Sequence, residues 1–148
     1  FISNLSVVFE DFIEEDIRLV QTHGDFQPAN ILSSEKEFWI IDWEYSDYRT
    51  IFYDGLLFDL ECRSPLNLNI RFQKKIYELS IIKDYLTWTG QSLSNKNYYY
   101  FFIFLLEDLV LRMNEVAVVA INNKYDGLSI FLSELKIIDK VLLKGTSG

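Results

Sequence analysis

The sequence predicts an α+β domain that is mostly helical and carries one short β-hairpin. Apolar residues recur at three- and four-residue spacing in four long stretches, as they do in helices that bury one face. Between the first and second of these stretches, two short apolar runs flank a polar turn, which indicates a pair of strands. Hydrophobic residues make up 49% of the 148, so we expect one domain with one core over residues 1–148.

The first predicted element is an amphipathic helix at residues 1–16, whose second face carries a series of acids. Residues 18–22 follow as an extended segment. Residues 23–30 are predicted to form a loop because Gly24 and Pro28 interrupt any regular pattern.

Two strands are predicted at Ile31–Ser33 and at residues 38–41, on either side of the polar turn 34–37. The second strand is apolar at every position. This pattern predicts burial on both of its faces.

Helices fill the rest of the chain. Asp54 is of a residue type that caps helix N-termini, and it precedes a predicted helix that opens at Gly55. Three longer helices are expected, and their bounds are residues 67–85, residues 97–122, and Asp126 or Ser129 to Leu143.

Charge and composition exclude several classes of function. Fourteen Lys and Arg against 22 Asp and Glu give a net charge of −8, which opposes binding to a nucleic-acid backbone. The longest apolar run, residues 98–106, is far shorter than the ~20 residues of a membrane span. Cys62 is the only cysteine, so a reducing, cytoplasmic location is expected and Cys62 itself is expected to be buried.

Three oxygen-bearing side chains are predicted to converge near the hairpin. If the turn centres on Lys36, antiparallel pairing places Asn30 opposite Asp42, and Asp25 lies five residues before Asn30. Carboxylate and amide oxygens are ligands that Mg²⁺ prefers. Asp, Asn and Gly are also common turn formers, and a role in a turn would explain the presence of any one of these residues alone.

Together these residues form a recognisable pattern. His23-Gly24-Asp25, then Asn30, then Asp42 within Ile-Ile-Asp-Trp-Glu, resembles the catalytic segment of the aminoglycoside phosphotransferase and choline kinase superfamily. The similarity extends to Glu61, with one departure at residues 50–51, where many members have Asp-Pro. Members of that superfamily share the protein-kinase fold, so the chain is expected to be its C-terminal lobe.

The resemblance implies an ATP-dependent, or other nucleoside triphosphate-dependent, phosphotransferase that acts on a small-molecule hydroxyl group. Asp25 would orient the hydroxyl and accept its proton, while Asn30 and Asp42 would hold Mg²⁺ against the phosphates. His23 is expected to brace the loop by packing and hydrogen bonding, although a role as general base is the other reading. Asp54 would cap its helix and tie the catalytic loop to it.

The acceptor is expected to be an amino sugar, such as an aminoglycoside, or an amino alcohol such as choline. Glu44 and Glu61 lie where substrate-facing acids occur in the superfamily, and a solvated-surface role is an equal alternative for each. The aromatic and acidic residues of 98–108 would attract an ammonium group, but a role in the core is favoured for most of them.

Two further expectations complete the interpretation. No Gly-x-Gly pair and no strand-rich stretch precede the catalytic segment, so the N-terminal nucleotide lobe is expected to be missing and this chain alone to be nearly inactive. A catalytically idle binding or regulatory module is the alternative function. A protein kinase is disfavoured because Gly24 stands where Arg is typical.

Overall fold

The computed structural model describes residues 17–78, 97–119 and 127–145, with side chains at 17–75, 100–116 and 127–140. It is an α+β structure, mostly helical, as the sequence predicts. The four strands are β1 Leu19–Thr22, β2 Ile31–Ser33, β3 Phe38–Ile40 and β4 Asp47–Thr50. The four helices of the described residues are α1 Tyr53–Asp59, α2 Leu68–Glu78, α3 Asn97–Val119 and α4 Gly127–Gly145.

The predicted helix at residues 1–16 and the last seven residues of the one predicted at 67–85 lie outside the described residues. None of the helices of the described residues is both long and apolar enough to cross a membrane.

Strand β4 is a feature that the sequence did not predict. It pairs antiparallel with β1, with Leu19 opposite Thr50 and Thr22 opposite Asp47. The two buried residues of β4, Arg49 and Thr50, are adjacent and polar, so the strand lacks an apolar alternation. Hydrogen bonds compensate for this polarity, because Arg49 Nη1 donates to Thr22 Oγ1 at 2.8 Å and Thr50 bonds to helix α3.

The register of the β2–β3 hairpin corrects the predicted pairing by one residue. Ile31 faces Ile40, so the turn centres between Glu35 and Lys36 and not on Lys36. The side chain of Ser34 explains the shift, since its Oγ accepts the backbone N–H of Glu37 at 3.2 Å while its own N–H donates to the Glu37 carbonyl. This local closure fixes a four-residue turn.

The predicted burial of both faces of β3 is wrong. Phe38 is 71% exposed and Trp39 is 49% exposed. Within the described part of the chain β3 pairs only with β2. An apolar run therefore does not by itself show that a strand is covered.

The core lies between the helices. Its buried side chains come from α1, α2, α3 and α4 and include Leu56, Phe72, Phe104 and Phe131. Helix α1 begins at Tyr53 with Phe52 at its N-cap, so the prediction of Asp54 as N-cap is wrong; Asp54 lies in the first turn. Cys62 is buried, as expected.

One ion pair is enclosed in this core. Asp108 and Arg112, one turn apart on α3, form a hydrogen bond of 2.8 Å with almost no exposure of either side chain. The Arg112 guanidinium lies over the ring of Phe131 on α4 at 4.4 Å, and Tyr53 Oη donates to Asp108 from α1. The pair therefore links α3 to α1 by a hydrogen bond and to α4 by a cation–π contact.

Candidate functional site

The loop from His23 to Asn30 runs from the end of β1 to the start of β2 and carries the predicted site. Gly24 adopts a φ of +84°, a backbone conformation that residues with a side chain rarely adopt. A Cβ atom at this position would lie 2.2 Å from the backbone oxygen of Tyr45. Position 24 therefore requires glycine, both for its backbone conformation and for the close approach of the turn that follows Asp42.

Asp54 anchors the loop to helix α1. Its carboxylate accepts the backbone N–H of His23 at 2.6 Å and the backbone N–H of Gly24 at 3.0 Å. Because a charged acceptor strengthens a hydrogen bond, two adjacent peptide groups of the loop are held from one rigid element. The structure thus places Asp54 in direct contact with the backbone of the His-Gly-Asp segment.

Both ring nitrogens of His23 are engaged. The backbone N–H of Asp25 donates to Nδ1 at 3.2 Å, so Nε2 carries the proton and donates to the Ile41 carbonyl at 2.7 Å. The ring is buried and lies 4.7 Å, between centroids, from that of Trp43. His23 therefore braces the loop against the strand end, and a role as general base would require one of these bonds to break.

Asp25 is surrounded by donors. Gln27 Nε2 lies 3.0 Å from each carboxylate oxygen, and Asn30 Nδ2 donates to Oδ2 at 2.9 Å. Arg63 Nε donates to Oδ1 and forms an ion pair with it. The side chain of Asp25 is only 14% exposed, so this set of contacts fixes its position.

Asn30 is buried and joins the loop to the hairpin. Its Nδ2 donates to the backbone carbonyl and to the carboxylate of Asp25, both at 2.9 Å. The backbone carbonyl of Asn30 accepts the backbone N–H of Ile41 at 3.0 Å. With Nδ2 turned to Asp25, the amide oxygen is the atom of Asn30 that could bind a cation.

Asp42 does not lie opposite Asn30, which corrects the predicted pairing. The one-residue shift of the hairpin places Ile41 there, and Asp42 follows it at the start of a 3₁₀ turn, Trp43–Tyr45. Asp42 has left-handed backbone angles, φ 67° and ψ 53°, and an exposed side chain. Left-handed backbone angles are uncommon for residues other than Gly. Asp42 directly follows Ile41, whose backbone bonds to both His23 and Asn30.

Arg63 and Glu115 belong to the site, although no sequence pattern marks either residue. Arg63 Nη1 donates to Glu115 Oε1 at 2.8 Å while its Nε bonds to Asp25, and its guanidinium lies 5.3 Å from the centroid of the Tyr45 ring. Burial lowers the pKa of Arg63, but the bond to Asp25 and the charges of Glu115 and Asp25 outweigh it and raise the pKa above its ordinary value. The charge of Arg63 is therefore permanent.

The two predicted substrate-facing acids are both exposed. Glu44 lies on the 3₁₀ turn after Asp42. Glu61 has a left-handed φ of 48° and lines a cavity of about 130 Å³ together with Gln27, Phe58 and Arg63. Two of these neighbours contact Asp25 directly, so Glu61 is close to the site, whereas no contact of Glu44 with Asp25 is present among the described residues.

The acidic and aromatic residues of α3 are mostly buried and pack or form hydrogen bonds inside the fold. Phe101 and Phe104 are buried, Asp108 pairs with Arg112, and Glu107 accepts two hydrogen bonds from Thr50, at 2.9 Å and 2.7 Å. The expectation that most of this set is structural therefore holds for the part that the structure describes.

Hard oxygen donors make up the candidate metal site. Asp42 and Asn30 would supply one carboxylate and one amide oxygen, a set that suits Mg²⁺ completed by phosphates and water. No group of three or more His, Cys, Asp or Glu side chains that could hold a metal ion occurs among the described residues.

In comparisons with protein-family models, curated proteins and solved structures, nothing matches this chain.

Proposed function

We propose that this chain is the catalytic-loop and acceptor-binding lobe of an ATP-dependent phosphotransferase that acts on a small-molecule hydroxyl group. One observation carries the proposal: Asn30 holds the carboxylate of Asp25 at 2.9 Å on a loop whose first two peptide groups are fixed by Asp54. The spacing of these residues is the one that resembles the aminoglycoside phosphotransferase and choline kinase superfamily. The geometry supports the proposal because phosphoryl transfer depends mainly on positioning.

In this mechanism Asp25 orients the acceptor hydroxyl and takes its proton as the oxygen attacks the terminal phosphate of ATP, whose bond to the bridging oxygen breaks so that ADP leaves. Asn30, through its amide oxygen, and Asp42 would hold Mg²⁺, which when bound neutralises charge on the transferred phosphoryl group. His23 keeps the loop in place through its two ring hydrogen bonds. A nucleotide lobe outside this chain would complete the phosphate site.

The cavity beside Glu61 supports a small acceptor that carries a positive charge. Phe58, which is 40% exposed, and the Glu61 carboxylate line the same space of about 130 Å³. An aromatic face and an acid attract an ammonium group, as an amino alcohol or an amino sugar provides. Arg63 also lines the cavity, but its positive charge is paired with the carboxylates of Asp25 and Glu115. Gln27 lines that cavity and also contacts Asp25, so an acceptor placed there has its hydroxyl near the candidate base.

A catalytically idle module is the second candidate, and one observation favours it. Asp25 contacts Gln27, Asn30 and Arg63, so its oxygens are already engaged by donors in this structure. An idle lobe has no need of a free base. Measurement of turnover distinguishes the two candidates.

The test follows Mg²⁺-dependent ATP consumption by the full-length protein, nucleotide lobe included, over a panel of amino alcohols, amino sugars and neutral sugars. We expect turnover with an aminated acceptor in the wild type and none in Asp25→Ala or Asp42→Ala. Glu37→Gln, an exposed change on the hairpin turn, is the matched control and should keep wild-type turnover. Full activity of Asp42→Ala would refute the metal role, and no turnover with any acceptor would favour the idle module.

A further inference from the structure

We propose that Arg63 is a two-position latch, which in this structure occupies Asp25 and whose second position is a bidentate pair with Glu115. The latch comprises Arg63, Asp25 and Glu115. Its meaning for catalysis rests on the function proposed above, because release of Asp25 matters only if Asp25 acts on a hydroxyl group. The movement itself follows from the contacts of the three side chains.

Asp25 has no acceptor site left in the latched position. A carboxylate offers about four lone-pair directions. Four donor contacts occupy them: Gln27 Nε2 on both oxygens, Asn30 Nδ2 on Oδ2 and Arg63 Nε on Oδ1. A hydroxyl group therefore reaches Asp25 only after one donor leaves, and Arg63 is the one whose other end already contacts a second acceptor.

Glu115 supplies that second acceptor. Its Oε1 accepts Arg63 Nη1 at 2.8 Å, while its Oε2 is buried and has no hydrogen-bond partner among the described residues. Unpartnered buried carboxylate oxygens are costly, so this oxygen is a vacant position for a donor. The planar fork of a guanidinium pairs bidentately with a carboxylate, and a second bond from Arg63 would satisfy Oε2.

The surroundings allow the movement. The Arg63 guanidinium lies over the ring of Tyr45, and its side chain keeps 18% exposure. The Tyr45 ring gives a flat surface along which the guanidinium can shift towards Glu115 without loss of its aromatic contact. A cation that arrives at Asp25 repels Arg63, so binding at the site and release of Asp25 would be coupled.

The test is the NMR spectrum of the Arg63 side chain in the whole chain, without nucleotide or metal. Asp25→Asn weakens the first position, so Arg63 should move to Glu115 and both Nη groups should show hindered rotation, with proton exchange slower by about tenfold or more. Glu115→Gln should do the opposite: the Nη protons average and exchange faster, and the Nε proton stays protected by Asp25. Arg63→Lys identifies the resonances.

Glu134→Gln is the matched control, since Glu134 is a buried carboxylate on α4 that bonds to Asn69, and it should leave the Arg63 resonances unchanged. If Asp25→Asn does not fold, Asp25→Ala is used in its place, and the same slower exchange of the Arg63 Nη protons is expected. Arg63 Nη protons that exchange as fast in the Asp25 variant as in Glu115→Gln would overturn the latch. These spectra need no turnover, so failure of the latch leaves the phosphotransferase proposal open, and absence of turnover leaves the latch open.

Discussion

The carboxylate of Asp54 and the backbone N–H of His23 lie 2.6 Å apart although 31 residues separate them in the sequence. Together with the bond to Gly24, this contact makes the first turn of α1 the support of the candidate catalytic loop. Stability and function of the loop should therefore respond together to a change at Asp54.

Asp54→Ala should destabilise the protein by about 2–4 kcal/mol, because two backbone donors lose a charged acceptor. Urea denaturation measures this loss, and hydrogen exchange at the amides of His23 and Gly24 should accelerate with it. Asp59→Ala, on the same helix, is the control: it removes an ion pair with Lys75 in which both side chains are about a quarter exposed, and it should cost less than about 1 kcal/mol. Equal effects of the two variants would contradict the anchoring role.

Gly24→Ala should be strongly destabilising, by about 2–4 kcal/mol, because a left-handed φ and a backbone clash act at the same residue. Gly55→Ala provides the comparison. Gly55 lies within α1, where alanine is favoured by about 1 kcal/mol, so this change should be neutral or stabilising. Thermal unfolding of both variants checks the prediction, and a Gly24 variant as stable as the wild type would contradict it.

Glu107 should make stability depend on pH. Burial raises the pKa of Glu107 above its ordinary value, although the hydrogen bonds from Thr50 and the charge of Arg49 lower it in part. Between the ordinary pKa and the raised one, the folded state binds more protons than the unfolded state, so the contribution of Glu107 to stability falls as pH rises through this window.

Glu107→Gln should remove this dependence, since glutamine does not titrate. The free energy of unfolding, measured by urea denaturation from pH 4 to 7, should fall more steeply with pH in the wild type than in the variant. Parallel curves would show that the carboxyl titrates alike in the folded and unfolded states.

Asp108→Ala should cost about 3–5 kcal/mol, because Arg112 would remain buried without its counter-charge. Urea denaturation of Asp108→Ala and of the double variant Asp108→Ala/Arg112→Met measures the coupling. We expect the double variant to recover part of the loss, since no unpaired charge then remains in the core. A double variant that is less stable than the single one would contradict this account.

If the proposed phosphotransferase function holds, Asp25→Asn should lower kcat by about 10²–10⁴, the usual effect of removing a general base, with little change in KM for ATP. The two constants are measured with the best acceptor of the substrate panel. A variant that loses ATP affinity and keeps kcat would show that Asp25 serves the nucleotide site instead.

Much of this architecture could be predicted from the sequence because the signals are local. The periodicity of apolar residues gives α2, α3 and α4, and the contacts of Asn30 with Asp25 lie within one loop. The register of the hairpin depends on a single side chain, Ser34, whose hydrogen bond recentres the turn. The apolar pattern of the two strands does not reveal this hydrogen bond, so the register predicted from that pattern is wrong by one residue.

The long-range partners could not be predicted. Arg63 and Glu115 are 38 and 90 positions from Asp25, and neither has a sequence pattern that marks it as part of a site. Strand β4 was missed for a similar reason, since Arg49 and Thr50 are buried by virtue of partners on other elements. Polar residues inside a fold are recognised only once their acceptors are known.

The position of Trp43 has a practical consequence. Its indole Nε1–H is bound to the Ile40 carbonyl at 2.9 Å, and its ring rests against that of His23. A shift of the His23 ring should therefore change the fluorescence of Trp43, which is read without interference once Trp39 and Trp88 are replaced. The chain thus carries an intrinsic optical probe of the loop from His23 to Asn30, and no added label is required to follow the movement of this loop.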